Sequence, residues 1–217
     1  MGFTLSQKIT GAERKVIASI IAEATGNLVR YAGVPTYTYE IGDWSIDRNS
    51  VVKSPRTDIS EMETIIPIIE ALKTVGFTAE DDLTVTLSAE GHTSQTLRNL
   101  GALIASKGSL LTKALGRETG LSMALWEELL EGEEVPFPFF NATLNYDEIR
   151  AYITLVHKLS ELAKSLKYVS AKEKPVENMK YAFRCFLLRL GFIGEKYKSE
   201  RKVLLKNFTG SGAYKNK

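Results

Sequence analysis

The run Tyr181-Ala-Phe-Arg-Cys-Phe-Leu-Leu-Arg-Leu190 is too apolar to lie on a surface. A helix that is hydrophobic nearly all round must be enclosed by other elements, so this segment demands a body able to bury it. Gly191 falls where a left-handed C′ cap would close such a helix. A second helical pattern follows, carrying Ile193, Tyr197, Leu204 and Phe208. Beside it Lys198, Lys202 and Lys206 recur at i, i+4 and i+8, next to Arg201, which lines positive charge along one helix face. The chain is therefore expected to bury its penultimate helix and to display cations on the last.

A chain of 217 residues suits one large domain or two small ones. Its net charge of +2 hides an asymmetry. From Ala151 onward there are 15 Lys and Arg against 5 Asp and Glu, whereas the first 150 residues hold 13 and 21. A basic end on an acidic body points to an anionic partner, unless the two halves neutralise each other where they touch. The lone Cys185 has no intramolecular disulfide partner, which fits a reducing compartment. The opening MGFTLSQKIT lacks the basic-then-apolar pattern of a secretory signal. There is also no run of about 18 apolar residues, so no membrane span and a cytoplasmic location are expected.

Thr10 and Glu13 read as a capping box for a helix with the stripe Val16, Ile17, Ile20, Ile21 and Ala24, ending near Gly26. Alternation in Tyr37-Thr-Tyr-Glu-Ile41 and Trp44-Ser-Ile-Asp47 predicts a hairpin turning at Gly42-Asp43, with a third short strand at Val51-Val52. Asp58 or Ser60 caps a helix reaching about Val75, in which Pro67 either opens a later first turn or makes a kink. Leu83, Val85 and Leu87 alternate as a strand. Thr93 or Ser94 starts a helix through Ile104, and a shorter one ends at Gly116. Met123 to Leu130 has helical composition, whereas the prolines in Val135-Pro-Phe-Pro-Phe-Phe140 force an extended chain. Asn145 and Glu148 begin the longest regular stripe, from Ile149 to Leu166. Strands come early and helices late. The expected class is α+β, a small antiparallel sheet packed by helices, with an α+β domain over 1–140 and a helical subdomain over 141–217.

Catalytic motifs are absent: no P-loop, no dinucleotide fingerprint, no nucleophile elbow and no zinc-protease helix. One cysteine and two separated histidines do not make a zinc set, so no metal or cofactor is expected. His92, in Glu90-Gly-His-Thr93, is the residue best placed for general acid–base work, though the same position suits a histidine that helps a helix start. His157 reads as an interface or surface residue, and Cys185 as an inert core thiol. Asp43, Asp47, Asp58, Glu61 and Glu63 offer carboxylates for a nuclease-like metal site, or simply caps for turns and helix starts. Arg184 and Arg189 interrupt the apolar run and are expected to snorkel or to pair with acids of the body. The stronger binding signal is Lys196, Lys198, Arg201, Lys202 and Lys206 followed by a glycine-rich tail with Tyr214 and Lys215. Cations contact phosphates and a tyrosine stacks on an exposed base.

Segments across the chain, among them Tyr31–Pro35, Leu103–Lys107 and above all Lys180–Gly194, resemble a family of small proteins, labelled virulence-related or hypothetical, carried on conjugative elements and prophages of Firmicutes. The matching stretches include Tyr31-Ala-Gly-Val-Pro35, Tyr39-Glu-Ile-Gly42, Leu103-Ile-Ala-Ser-Lys107, Lys113-Ala-Leu-Gly116 and Phe137-Pro-Phe-Phe140. The longest is Lys180-Tyr-Ala-Phe-Arg-Cys-Phe-Leu-Leu-Arg-Leu-Gly-Phe-Ile-Gly194, with Asn207-Phe-Thr-Gly-Ser211 after it. The resemblance implies a genomic context and supplies no active-site residues. Cargo of such elements often protects them from host defences. The expectation is a non-enzymatic accessory protein that binds nucleic acid or a host nucleoprotein such as a Cas nuclease, as an anti-CRISPR inhibitor would. The alternatives are a nuclease acting through His92 and nearby carboxylates, and a factor in element replication or transfer.

Overall fold

The computed structural model describes residues 2–118 and 133–213. Eight antiparallel strands form one sheet in the order β2-β3-β4-β5-β1-β7-β8. These are β1 (Gly2–Thr10), β2 (Val29–Tyr31), β3 (Tyr39–Ile41), β4 (Trp44–Ile46), β5 (Val51–Lys53), β7 (Thr78–Ser88) and β8 (Glu134–Asn141). The two-residue β6 (Thr57–Asp58) also pairs with β1. Seven α-helices are described: α1 (Arg14–Thr25), α2 (Ile66–Thr74), α3 (Ser94–Ala105), α4 (Gly108–Leu115), α5 (Tyr146–Ser165), α6 (Met179–Arg189) and α7 (Lys198–Leu205). The class is α+β. No described helix is long and apolar enough to cross a membrane.

The middle of the sheet is β1, a strand not expected from the sequence pattern. In β1, Phe3, Leu5, Gln7 and Ile9 are buried while Ser6 and Lys8 are not, a period of two that Thr4, also buried, interrupts near the strand start. Thr10 therefore ends a strand and does not cap a helix. Its hydroxyl lies 3.0 Å from that of Thr78 across the β1–β7 pair. Helix α1 starts later, from Glu13 with no side-chain cap bond, and ends as expected at Gly26, whose φ is 72°.

Other boundaries follow local chemistry. The hairpin turns at Gly42, with Ile41 opposite Trp44. Asp58 caps a 3-10 helix over Ile59–Ile65, accepting from the Ser60 amide, and Pro67 sits in the first turn of α2, where its missing N–H costs nothing. Thr93 and Thr96 complete a capping box at α3, and the Asn145 side chain accepts from the Glu148 amide at α5. The proposed helix from Met123 to Leu130 lies outside the described residues.

Two apolar clusters hold the helices to the sheet. The smaller packs Ile17 and Ile21 of α1 and Leu72 of α2 on Ile9, Ile41, Ile46 and Val52. The larger joins Leu83, Val85 and Phe137 of the sheet to Leu100, Ile153, Val156, Phe183 and Leu204 of the helices, so it draws on both sides of residue 140. Helix α6 is amphipathic and not buried all round. Phe183, Phe186, Leu187 and Leu190 are inside, whereas Arg184, Cys185, Leu188 and Arg189 face out. The exposed positions recur at i, i+1, i+4 and i+5, one side of a helix, so a single apolar stripe anchors it.

Candidate functional site

Most cations expected to form a free row on α7 have partners. Lys198 pairs with Glu195, an exposed i, i+3 contact, and Lys206 bonds Glu148 at the start of α5. Arg201 donates to the carbonyls of Phe192 (3.1 Å) and Gly194 (2.7 Å) and so closes the turn before its own helix. Lys196 lies 4.9 Å from the Tyr197 ring centroid. Lys202 is exposed and has no partner among the described residues. The Lys198 pair is fully solvated and contributes little, so that ammonium stays accessible to a phosphate. Tyr214 and Lys215 lie outside the described residues.

The catalytic alternatives acquire specific structural partners. His92 Nδ1 lies 3.1 Å from the Thr96 hydroxyl and Nε2 lies 2.7 Å from that of Ser160. The neutral ring donates from one of these nitrogens and accepts at the other. Burial, then the nearby Lys164 ammonium, lowers the His92 pKa to about 4, against a smaller opposing effect of Glu161. Glu90 is exposed and does not bond the ring. His157 is half-buried and likewise shifted down, first by burial. Cys185 is exposed, which corrects the expected core thiol. Asp47 accepts from the amides of Asn49 and Val51, and Asp58 caps its 3-10 helix. Among the described residues no three His, Cys, Asp or Glu gather as metal ligands.

Four cations from three separate stretches of the chain converge elsewhere. Lys107, Lys172, Lys174 and Arg189 line a cavity of about 310 Å³ together with Ser106, Ser170 and Tyr168. No carboxylate lines it, and none of the four has an ion-pair partner among the described residues. Of the two expectations for Arg189, to snorkel or to pair with an acid, no acid partner is found among the described residues, and Arg184 donates to the Gly212 carbonyl.

The local chain explains this surplus. After α5 the backbone is pinned by Asn99, whose side-chain amide donates to the Leu166 carbonyl at 2.6 Å. The chain then runs past the junction of α3 and α4. There Glu173 accepts from the Ser109 amide (2.9 Å) and hydroxyl (2.7 Å), capping α4 at its positive end. The carboxylate between Lys172 and Lys174 is thereby turned toward α4, and neither lysine has an ion-pair partner among the described residues. Arg189 sits in the last turn of α6, where a cation complements the helix dipole. Lys107 rests 5.6 Å from the Phe186 ring centroid. Tyr168 is 76% exposed, a free aromatic face beside the four charges.

Two ion pairs, Lys206–Glu148 and Arg150–Glu200, join the two halves of the chain among the described residues. Of the basic segment after residue 150, only Lys164, Lys198 and Lys206 form ion pairs among the described residues. Lys107, Lys172, Lys174 and Arg189 are not among the residues whose spacing predicted a binding surface. No linear spacing rule joins them.

A scan against protein-family models finds no match, and a search of curated proteins finds none.

Proposed function

We propose that this protein binds nucleic acid, free or within a host nucleoprotein, and serves a mobile element as a non-enzymatic inhibitor of a host defence nuclease of the CRISPR type. The observation that carries the binding claim is the cavity of Lys107, Lys172, Lys174 and Arg189 with Tyr168 at its side. Four unneutralised cations neutralise backbone phosphates, and an exposed tyrosine offers a stacking face to a base. Lys196, Lys198, Lys202 and Lys206 on and before α7 add positive surface, with Tyr214 and Lys215 beyond them in sequence. Binding is favoured over cleavage because both ring nitrogens of His92 are engaged by hydroxyls. The mobile-element setting rests on the resemblance of residues 180–194 and the shorter matching segments to the Firmicutes family.

Two experiments separate the parts of this reading. Fluorescence anisotropy with labelled single-stranded RNA and DNA tests binding, and saturable binding that weakens with salt is expected. Cleavage assays with guide-loaded Cas nucleases test inhibition, and a stoichiometric excess of the protein is expected to slow cutting. Undiminished cutting with intact nucleic-acid binding would remove the inhibitor role and leave an accessory role in replication or transfer.

A further inference from the structure

A second cavity, of about 310 Å³, lies where the 3-10 helix Ile59–Ile65 meets α5 and the start of α7. Its walls combine opposite charges. Glu63 comes from the 3-10 helix, Arg150 and Lys158 from α5, and Glu200 from α7. Glu200 is only 1% exposed, and its Oε1 pairs with Arg150 Nε at 3.0 Å. Its Oε2 is buried and has no hydrogen-bond partner among the described residues. The Tyr146 hydroxyl, one helical turn before Arg150, is also buried without a partner. A carboxylate taken out of water normally fills both oxygens with donors, so a half-satisfied one calls for an explanation.

The remaining charges are also unmatched. Arg150 and Glu200 neutralise each other, which leaves Glu63 and Lys158 with no ion-pair partner among the described residues. Lys158 Nζ is held by aromatic faces instead, 4.5 Å from the Tyr197 centroid and 5.5 Å from that of Phe192. The cavity therefore offers a cation on the α5 side, carboxylates on two others, and apolar surface from Ile59 and Met62.

We infer that this cavity binds a free α-amino acid with an aliphatic side chain, held as the zwitterion. Its ammonium group supplies donors to Glu63 on the Glu200 side of the cavity, its carboxylate meets Lys158, and its side chain packs on Ile59 and Met62. Neither a simple anion nor a simple cation matches both charges. This site is separate from the cavity of Lys107 and Arg189, and the inference does not depend on nucleic-acid binding.

Half-molecules of the ligand decide the matter. Thermal unfolding of the full chain is followed with leucine, with 4-methylpentanoate (no amine) and with 3-methylbutylamine (no carboxylate). A ligand of the native state raises the unfolding midpoint with rising concentration. Leucine or methionine is expected to raise it, and neither half-molecule is. Glu63→Gln, at an exposed position, and Lys158→Met are each expected to weaken leucine binding about tenfold or more in calorimetric titration, the loss of one charge-assisted contact. No shift with leucine or methionine would overturn the inference. So would a half-molecule as effective as leucine, or leucine affinity unchanged in both variants.

Discussion

His92 Nε2 lies 2.7 Å from the Ser160 hydroxyl, tying the mouth of α3 to the middle of α5. Ser160 is fully buried, so the bond acts as a clasp between two helices and leaves no exposed nucleophile. The ring works in its neutral form, with a pKa lowered to about 4 from an ordinary 6.5. Above pH 6.5 the folded and unfolded chains both carry a neutral ring, and the clasp contributes fully. Between 6.5 and 4 only the unfolded chain takes up the proton, so stability falls with falling pH. After allowance for solvent screening at this half-exposed site, the loss is about 1–2 kcal/mol. Urea melts at pH 7 and pH 4.5 check it: His92→Gln is expected to be less stable at pH 7 and to lose less on acidification than the wild type.

Arg150 is the only ion-pair partner of Glu200 among the described residues. Arg150→Met strands a buried carboxylate and is expected to cost about 2–4 kcal/mol, less than a fully enclosed pair because Arg150 is partly exposed. Removing both charges in Arg150→Met/Glu200→Leu is expected to recover most of that loss. Chemical denaturation of the two variants gives the comparison.

At the hairpin tip Gly42 has φ 56°, and a Cβ there would lie 2.8 Å from the Asn27 side-chain nitrogen. Gly42→Ala is expected to destabilise by about 1–2 kcal/mol through left-handed backbone strain plus that contact. Pairing it with Asn27→Ala removes the contact and leaves the strain, so the double variant is expected to lie between wild type and Gly42→Ala in thermal melts.

The parts of the fold legible in sequence are those written in short-range chemistry. The Gly42 hairpin, the Thr93 and Asn145 caps and the alternating Leu83, Val85 and Leu87 each depend on residues within a few positions of one another. Strand β1 shows the opposite case. Its period of two is broken in polarity by Gln7, a residue expected outside. Gln7 is buried because its amide exchanges two hydrogen bonds of 3.1 Å with the Thr143 backbone, 136 residues on. The α7 lysines were legible as a spacing, but the Lys206 partner, Glu148, lies on another helix. The α6 run misled because its apolar residues outnumber its arginines, yet Arg184 and Arg189 mark the side left to water. Lys107, Lys172, Lys174 and Arg189 meet only through the packing of α3, α6 and the 166–178 connection, where the Glu173 carboxylate is turned toward α4.

The most direct test is the salt dependence of single-stranded RNA binding, measured for the wild type and for the exposed-site variant Lys172→Glu/Lys174→Glu/Arg189→Glu. Each neutralised phosphate on a single strand adds about −0.7 to the slope of log K against log salt, so four cations predict a slope of about −3. The variant is expected to bind at least tenfold more weakly at low salt, with a much shallower slope, while unfolding at a similar temperature. Equal affinity and slope in the folded variant, or no binding by the wild type at low salt, would contradict the account.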